Sequence, residues 1–257
     1  MNTPRKSLGQ HWLNDPASLQ AMADAAEVQF SDVVLEIGPG EGSLTKVLLA
    51  RAGRIIAVEL DNKLAARLPQ SLQSKNLEVI NQDILQFDFT NLPTDYKVVA
   101  NIPYYLTSNL IRVLSETPNQ PRAVVLLVQK EVAERVAAKP GVMSLLSVTA
   151  QFFWQVSLGS VVKAELFTPP PKVDSQILIM QSRSTPLFPD VQPKDFFRLV
   201  KAGYAQRRKT LLNNLTNGLS LSREEVQELC SRAAIDPSRR AQTLRLQEWH
   251  NLYLLTR

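Results

Sequence analysis

One cysteine, Cys230, occurs in the 257 residues. A single thiol excludes an intrachain disulfide framework and a cysteine-built zinc site, and it suits a reducing compartment. Histidine is almost as scarce. His11 and His250 stand too far apart in the chain to suggest a catalytic pair, and no metal is expected. Long apolar runs are missing as well: the longest, 123–128, is far shorter than the ~20 residues a membrane-spanning helix needs. Residues 1–10 are polar and no apolar stretch follows them, so no signal peptide is expected. The chain has no internal repeat and no low-complexity segment. A cytoplasmic protein without membrane contact is the expectation, and a monomer is expected by default.

Hydrophobic residues make up 44% of the chain, enough for a real core and against disorder. At this length the chain can hold one sizeable domain and a smaller appendage. The net charge of +5 is unevenly placed. From Arg183 onward there are 13 Lys/Arg against 7 Asp/Glu, whereas 1–182 is close to neutral. A catalytic domain followed by a polyanion-binding appendage would have this asymmetry.

Up to about residue 180, short apolar runs alternate with amphipathic stretches, the pattern of βαβ units on a mostly parallel sheet. Strands are predicted at 33–37, 54–59, 77–82, 97–100, 124–129 and 173–180. Several lack polar alternation, as strands covered on both faces do. Helices are predicted at 43–51, 63–72, 108–115, 130–139 and 143–153, with Thr107 or Ser108 as a cap for the third. Pro186, Pro189 and Pro193 mark a linker at 182–193. Beyond it Val and Ile thin out, and four short helices are predicted at 195–205, 208–215, 222–233 and 246–255. The expected division is 1–185 and 186–257.

The segment Val33 to Thr45 reads as a strand, a glycine-rich turn and a helix start. Gly38, Gly40 and Gly42 let the backbone approach a ligand without a Cβ in the way. Ser43 stands where a dinucleotide fingerprint wants its third glycine, which disfavours NAD. Glu59 ends the next strand, 21 residues after Gly38, where a carboxylate can accept from both hydroxyls of a ribose. A nucleoside-type ligand follows from the two together. Asp83, after the third strand, could accept from an adenine amino group with Ile84 packed on the ring, although an aspartate in that place is usually a turn or helix cap.

Asn101-Ile102-Pro103-Tyr104 follows the fourth strand, at the carboxyl edge where such sheets place their chemistry. Asn101 offers an acceptor oxygen, the Ile102–Pro103 linkage stiffens the loop and aims main-chain carbonyls, and Tyr104 offers an aromatic face. An adenine amino nitrogen is a poor nucleophile because its lone pair is delocalised into the ring. Two acceptors gripping its N–H bonds favour the pyramidal nitrogen of the transition state. Phe167, ahead of the stiff Thr168-Pro169-Pro170-Pro171 run, is a second candidate platform for a flipped base opposite Tyr104. Read without a ligand, it is a core residue at a strand start.

With these residues in view, the chain resembles the KsgA/RsmA family of small-subunit ribosomal RNA adenine dimethyltransferases along almost its whole length. The resemblance is carried by Gln10-His11-Trp12-Leu13, Val34 to Thr45, Val58-Glu59-Leu60-Asp61, Gln82-Asp83-Ile84, Asn101 to Tyr104 and Phe167 to Ser175. It implies a Rossmann-like class I methyltransferase fold, α/β with a mostly parallel seven-stranded sheet, and a small C-terminal all-α domain that binds RNA. It implies S-adenosyl-L-methionine as cofactor, contacted by His11, Leu13, Gly38, Glu59, Asp83, Ile84 and Asn101. It further implies that Asn101, Pro103, Tyr104 and Phe167 handle a target adenine in small-subunit rRNA, two adjacent adenines being dimethylated, with the small ribosomal subunit as partner. His11 and Trp12 depart from the family, which usually has Asn and Phe there.

Similar enzymes methylate an adenine of large-subunit rRNA and share the Asn-Ile-Pro-Tyr loop. Tyr204 to Leu215 and Asp236 to Leu244 resemble the small-subunit enzymes instead. Arg207, Arg208 and Lys209, placed on a helix, would fan over about half its circumference at ~100° per residue and reach several phosphates. Two other readings remain, a non-catalytic assembly factor on the same scaffold and a NAD-dependent dehydrogenase.

Overall fold

The computed structural model describes residues 9–256; residues 1–8 and 257, which the sequence assigns to the outer ends of its two domains, lie outside the described residues. The chain begins with β1 (Trp12–Leu13), α1 (Pro16–Ala25), β2 (Val33–Ile37), α2 (Ser43–Leu49), β3 (Arg54–Glu59), α3 (Asn62–Leu72) and β4 (Leu77–Asn81). It continues through β5 (Lys97–Asn101), α4 (Thr107–Glu116), β6 (Ala123–Gln129), α5 (Lys130–Val136), α6 (Leu145–Phe153), β7 (Trp154–Val162), β8 (Phe167–Thr168) and β9 (Ser175–Ser182). Four helices follow: α7 (Pro193–Gly203), α8 (Leu211–Leu219), α9 (Arg223–Arg232) and α10 (Leu246–Leu255). Among the described residues no helix is long and apolar enough to cross a membrane.

The larger of two compact units comprises residues 9–134 and 154–182. Its seven strands run in the order β4-β3-β2-β5-β6-β9-β7. The first five are parallel, and β9 and β7 add an antiparallel edge. The class I methyltransferase architecture is therefore the one the sequence implies. β6 is buried from Ala123 to Val128 and β5 from Lys97 to Ala100, which is why neither alternates with polar residues. Lys97, buried at the start of β5, is held by Asp32 at 2.8 Å and by the Glu27 carbonyl at 2.7 Å. The chain runs outward through β2, β3 and β4, then returns to β5 on the far side of β2. Connections leaving β2 and β5 diverge, and a crevice opens at their carboxyl ends.

Several elements differ from expectation. β7 falls where the sequence reading assigned nothing, yet Trp154-Gln155-Val156-Ser157-Leu158 alternates strictly. α1 was also unassigned, although Asp15 caps it through Ser18 N–H and Pro16 sits in its first turn. Thr107 does not cap α4: it lies within the helix, and its hydroxyl donates back to the Tyr104 carbonyl at 3.0 Å.

The smaller unit comprises residues 135–153 and 183–256, which corrects the expected boundary at 185/186. Its extra piece, α6, is apolar, and its partners lie in the last helices. Val148 and Phe152 share one buried cluster with Phe196, Leu199, Leu215 and Trp249, and the Phe152 and Phe196 rings stack at 4.8 Å. The Gly141 N–H also donates to the Gln242 carbonyl at 2.9 Å. A segment contributed from mid-chain leaves no compositional step at its ends, so the linker prolines marked only the later junction.

Arg207, Arg208 and Lys209 are not helical. They are exposed in the turn between α7 and α8, so the expected fan over a helix surface is corrected. Buried Asn214 explains the break. Its amide donates to the carbonyls of Gly203 (2.6 Å) and Gln206 (3.1 Å) and accepts from the Gln206 N–H (3.2 Å), satisfying a turn where a helix would have used its own carbonyls. Thr210 then caps α8 through the Asn213 N–H.

Candidate active site

The crevice at the ends of β2 and β5 is a cleft of about 1240 Å³, counting the part open to solvent. Of the residues the sequence singled out, His11, Leu13, Gly38, Glu59, Asp83, Ile84, Asn101, Pro103 and Tyr104 all line it. Phe167 does not. It is 3% exposed, pairs with Leu13 across the short β1–β8 sheet and belongs to the core of the larger unit. Its expected role as a stacking platform is corrected on that ground: the strand pairing that orders it also turns it inward.

The glycine turn shapes the floor. Gly38 has φ +67°, and a Cβ there would meet no atom within 4 Å, so it would project into open space where a ligand can approach. Gly42 is needed for a different reason. At φ +85° a side chain would be strained, and its Cβ, 2.6 Å from Leu68 Cδ1, would push that leucine aside where α2 starts against α3.

Glu59, the last residue of β3, is buried and fixed by main-chain donors. Its Oε2 accepts from the Gly40 N–H at 3.1 Å and its Oε1 from the Asp61 N–H at 2.9 Å. A carboxylate has about four lone-pair sites, so beside these main-chain donors it keeps acceptor capacity for ribose hydroxyls. Burial raises its pKa, while these main-chain N–H groups pull it back down. Asp83 accepts from the Leu85 N–H at 2.9 Å, so it is a turn cap that also faces the cleft.

Glu36 was not singled out from the sequence. It is 1% exposed, lines the cleft, and burial pushes its carboxyl up to about 8. The Thr45 hydroxyl beside it lowers the value and the nearby Glu59 charge raises it. Its partner there is the Thr45 hydroxyl, whereas the indole N–H of Trp12 is buried without a hydrogen-bond partner among the described residues. An orphaned donor on the wall of the cleft fits a bound polar ligand better than a dry cavity. Together with the open space over Gly38 and the acceptors of Glu59, it suits a nucleoside carrying a charged tail, as S-adenosyl-L-methionine does. Nothing but depth distinguishes Glu36 in the sequence, where it reads as one more position of a buried strand.

Asn101 closes the opposite wall. Its Nδ2 donates to the His11 carbonyl at 3.2 Å, which fixes the amide and, among the described residues, leaves Oδ1 as a free acceptor. The Pro103 carbonyl accepts from the Leu106 N–H at 3.0 Å, which fixes the turn that follows Asn101, and Ile102 lines the cleft beside it. Tyr104 is anchored by its hydroxyl to Ser175 Oγ at 2.8 Å, and His11 stacks on its ring at 5.9 Å and 17°. Burial raises the phenol pKa, so the hydroxyl stays protonated. His11 Nδ1 in turn lies 2.7 Å from the Pro169 carbonyl, joining the amino-terminal strand to the proline-rich loop.

The model of the family described as "Ribosomal RNA adenine dimethylase" matches residues 1–257. The chain belongs to that family. Among curated relatives, the "Ribosomal RNA small subunit methyltransferase A" of Dehalococcoides mccartyi strain CBDB1 is 44% identical over 254 residues, covering 97% of this chain and 87% of the relative. The protein of the same name from Enterococcus faecalis is 38% identical, covering 96% and 88%. Among solved structures, a dimethyladenosine transferase from Plasmodium falciparum superposes with a TM-score of 0.80 at 26% identity, covering 95% and 97%. The 23S rRNA methyltransferase ErmE gives 0.76 at 27%, covering 95% and 98%. Members of the rRNA adenine dimethylase family are S-adenosylmethionine-dependent methyltransferases, and so is this chain. A scaffold emptied of chemistry and a NAD-dependent dehydrogenase are thereby set aside.

Proposed function

We propose that the chain dimethylates the exocyclic amino nitrogens of two adjacent adenines near the 3′ end of small-subunit rRNA, in the cytoplasm and as a step of small-subunit biogenesis. The observation that carries this reading is Asn101, its amide NH₂ tied down by the His11 carbonyl and its Oδ1 turned free beside the glycine turn. Glu59 holds the ribose of S-adenosyl-L-methionine, Gly38 gives the ligand room, Asp83 and Ile84 hold its adenine, and His11 and Leu13 complete the wall. When bound, the cofactor supplies an electrophilic methyl group on a sulfonium.

The chain's own residues do the rest. Tyr104, backed by His11 and pinned by Ser175, offers its remaining face to an extruded adenine. Asn101 Oδ1 and the Ile102 carbonyl accept hydrogen bonds from the two amino N–H groups, and Pro103 keeps both acceptors in place. This grip strengthens as the nitrogen becomes pyramidal, so it lowers the barrier instead of merely tightening binding. Orientation of the nitrogen toward the methyl contributes the remainder. Each methyl gained at nitrogen would leave the cofactor as its thioether and send one amino proton to water, and the second methyl would need a fresh cofactor. Arg207, Arg208 and Lys209 in the smaller unit engage rRNA phosphates.

The test is transfer of tritiated methyl groups to undermethylated small and large ribosomal subunits offered separately. Label in an adenine-containing fragment of the small subunit alone is the expected result. Label in the large subunit instead would assign the chain to the other branch of the family's chemistry, and label in neither would remove the reading.

A further inference from the structure

Tyr104 and Tyr105 are chain neighbours in different surroundings. Tyr104 is anchored through its hydroxyl and covered on one face by His11. Tyr105 follows it in the short 3-10 turn Tyr104–Leu106, where successive side chains diverge by about 120°. The two rings therefore cannot face the same way. Tyr105 is 64% exposed at the rim of the cleft, and among the described residues no hydrogen bond or ring contact reaches it. Gly9 and Pro103 flank its edge: a Cβ at Gly9 would lie 3.4 Å from Tyr105 Cε1 and 3.5 Å from Pro103 Cβ. Gly9 and the proline-stiffened turn thus flank one edge of the ring, and most of its surface is open. Leu60 and Leu85, also exposed, line the same cleft, so the ring is one of several apolar side chains open there, and grouped exposure of that kind marks a binding surface.

The occupant follows from the proposed substrate, and the inference rests on that reading. The target carries two adjacent adenines. When one is drawn into the cleft against Tyr104, its neighbour is one phosphodiester away, unpaired and outside. Every base has a π face, and aromatic side chains are the usual platforms for unpaired ones. We propose that Tyr105 stacks on the unpaired base next to the target adenine and thereby selects which nucleotide enters the cleft. Tyr104 and Tyr105 then hold consecutive bases on two sides of one turn, and the adenines exchange places between the two rings without the RNA leaving.

The experiment compares Tyr105→Ala and Tyr105→Phe with the unaltered protein on undermethylated small subunits. It reads KM for subunits, S-adenosylhomocysteine affinity by calorimetry, thermal midpoint, and by mass spectrometry the share of fragments modified at only one adenine. For Tyr105→Ala, KM should rise roughly tenfold, the size that base–aromatic stacking carries. Fragments modified at one adenine should accumulate, while cofactor affinity and melting stay unchanged. Tyr105→Phe should restore both RNA readouts, because the ring and not the hydroxyl does the stacking. An unchanged KM in Tyr105→Ala overturns the proposal, as does a rise in KM matched by loss of cofactor affinity or of stability. Absence of activity in the unaltered protein would instead sink the small-subunit reading and is distinguishable from either result.

Discussion

Glu36 and Glu59 sit on adjacent strands of one sheet with their carboxyls buried, and both have pKa values raised by that burial. For Glu36 the folded value is about 8 against an ordinary 4.5. Between those two pH values the unfolded chain gives up the Glu36 proton while the folded chain keeps it. This stability contribution is therefore complete below pH 4.5 and is lost as pH rises toward 8, at roughly 1.4 kcal/mol per pH unit. Glu36→Gln cannot ionise. Melting curves should show it gaining on the unaltered protein from pH 5 to 8 and running parallel above; a constant difference would mean the carboxyl is already charged at pH 5. Glu59 must be ionised to accept from ribose hydroxyls at full strength, so S-adenosylhomocysteine affinity should weaken as pH falls through its raised pKa. Glu59→Ala should lose most affinity in calorimetry, and unchanged binding would remove Glu59 from the ribose. Glu59, Gly38 and Asn101 were legible because each stands at a strand end with a distinctive neighbour or spacing. Glu36 was not, and neither was Ser175, whose contact with Tyr104 spans 71 residues of sequence.

At the scale of elements, the parallel strands were readable because burial on both faces removes polar alternation, and Val, Ile and Leu are left in unbroken runs. A cap side chain did not by itself make a helix start readable: the start of α9 was placed to within a residue, but α1, capped by Asp15, was not assigned. Ser222 accepts from the Glu225 N–H at 3.1 Å while Glu225 accepts from the Ser222 N–H at 2.6 Å, closing both ends of a capping box on α9. Ser222→Ala should cost about 1 kcal/mol in urea unfolding with no change in slope. A loss below about 0.3 kcal/mol would mean the start of α9 is fixed by packing alone. The turn carrying Arg207, Arg208 and Lys209 was misread because its cause, the buried Asn214, lies five residues beyond it and resembles any other polar helix position.

Across the whole molecule, the surplus of positive charge lies in residues 183–257, the last part of the smaller unit. A composition count located that surplus without difficulty. It could not show that residues 135–153 belong to the same unit, because that membership depends on Phe152 meeting Phe196. If Arg207, Arg208 and Lys209 engage three phosphates, replacing all three by Ala should weaken binding to small subunits and lower the slope of log affinity against log salt by about 2. An unchanged slope would place the RNA contact elsewhere. The central claim concerns one side chain, and turnover of Asn101→Ala tests it most directly when read beside its calorimetric affinity for S-adenosylhomocysteine. Methyl transfer to small subunits should fall by a factor of a hundred or more, the size of losing one transition-state hydrogen-bond partner, with cofactor affinity reduced only modestly. Near-normal transfer by that variant would contradict the account.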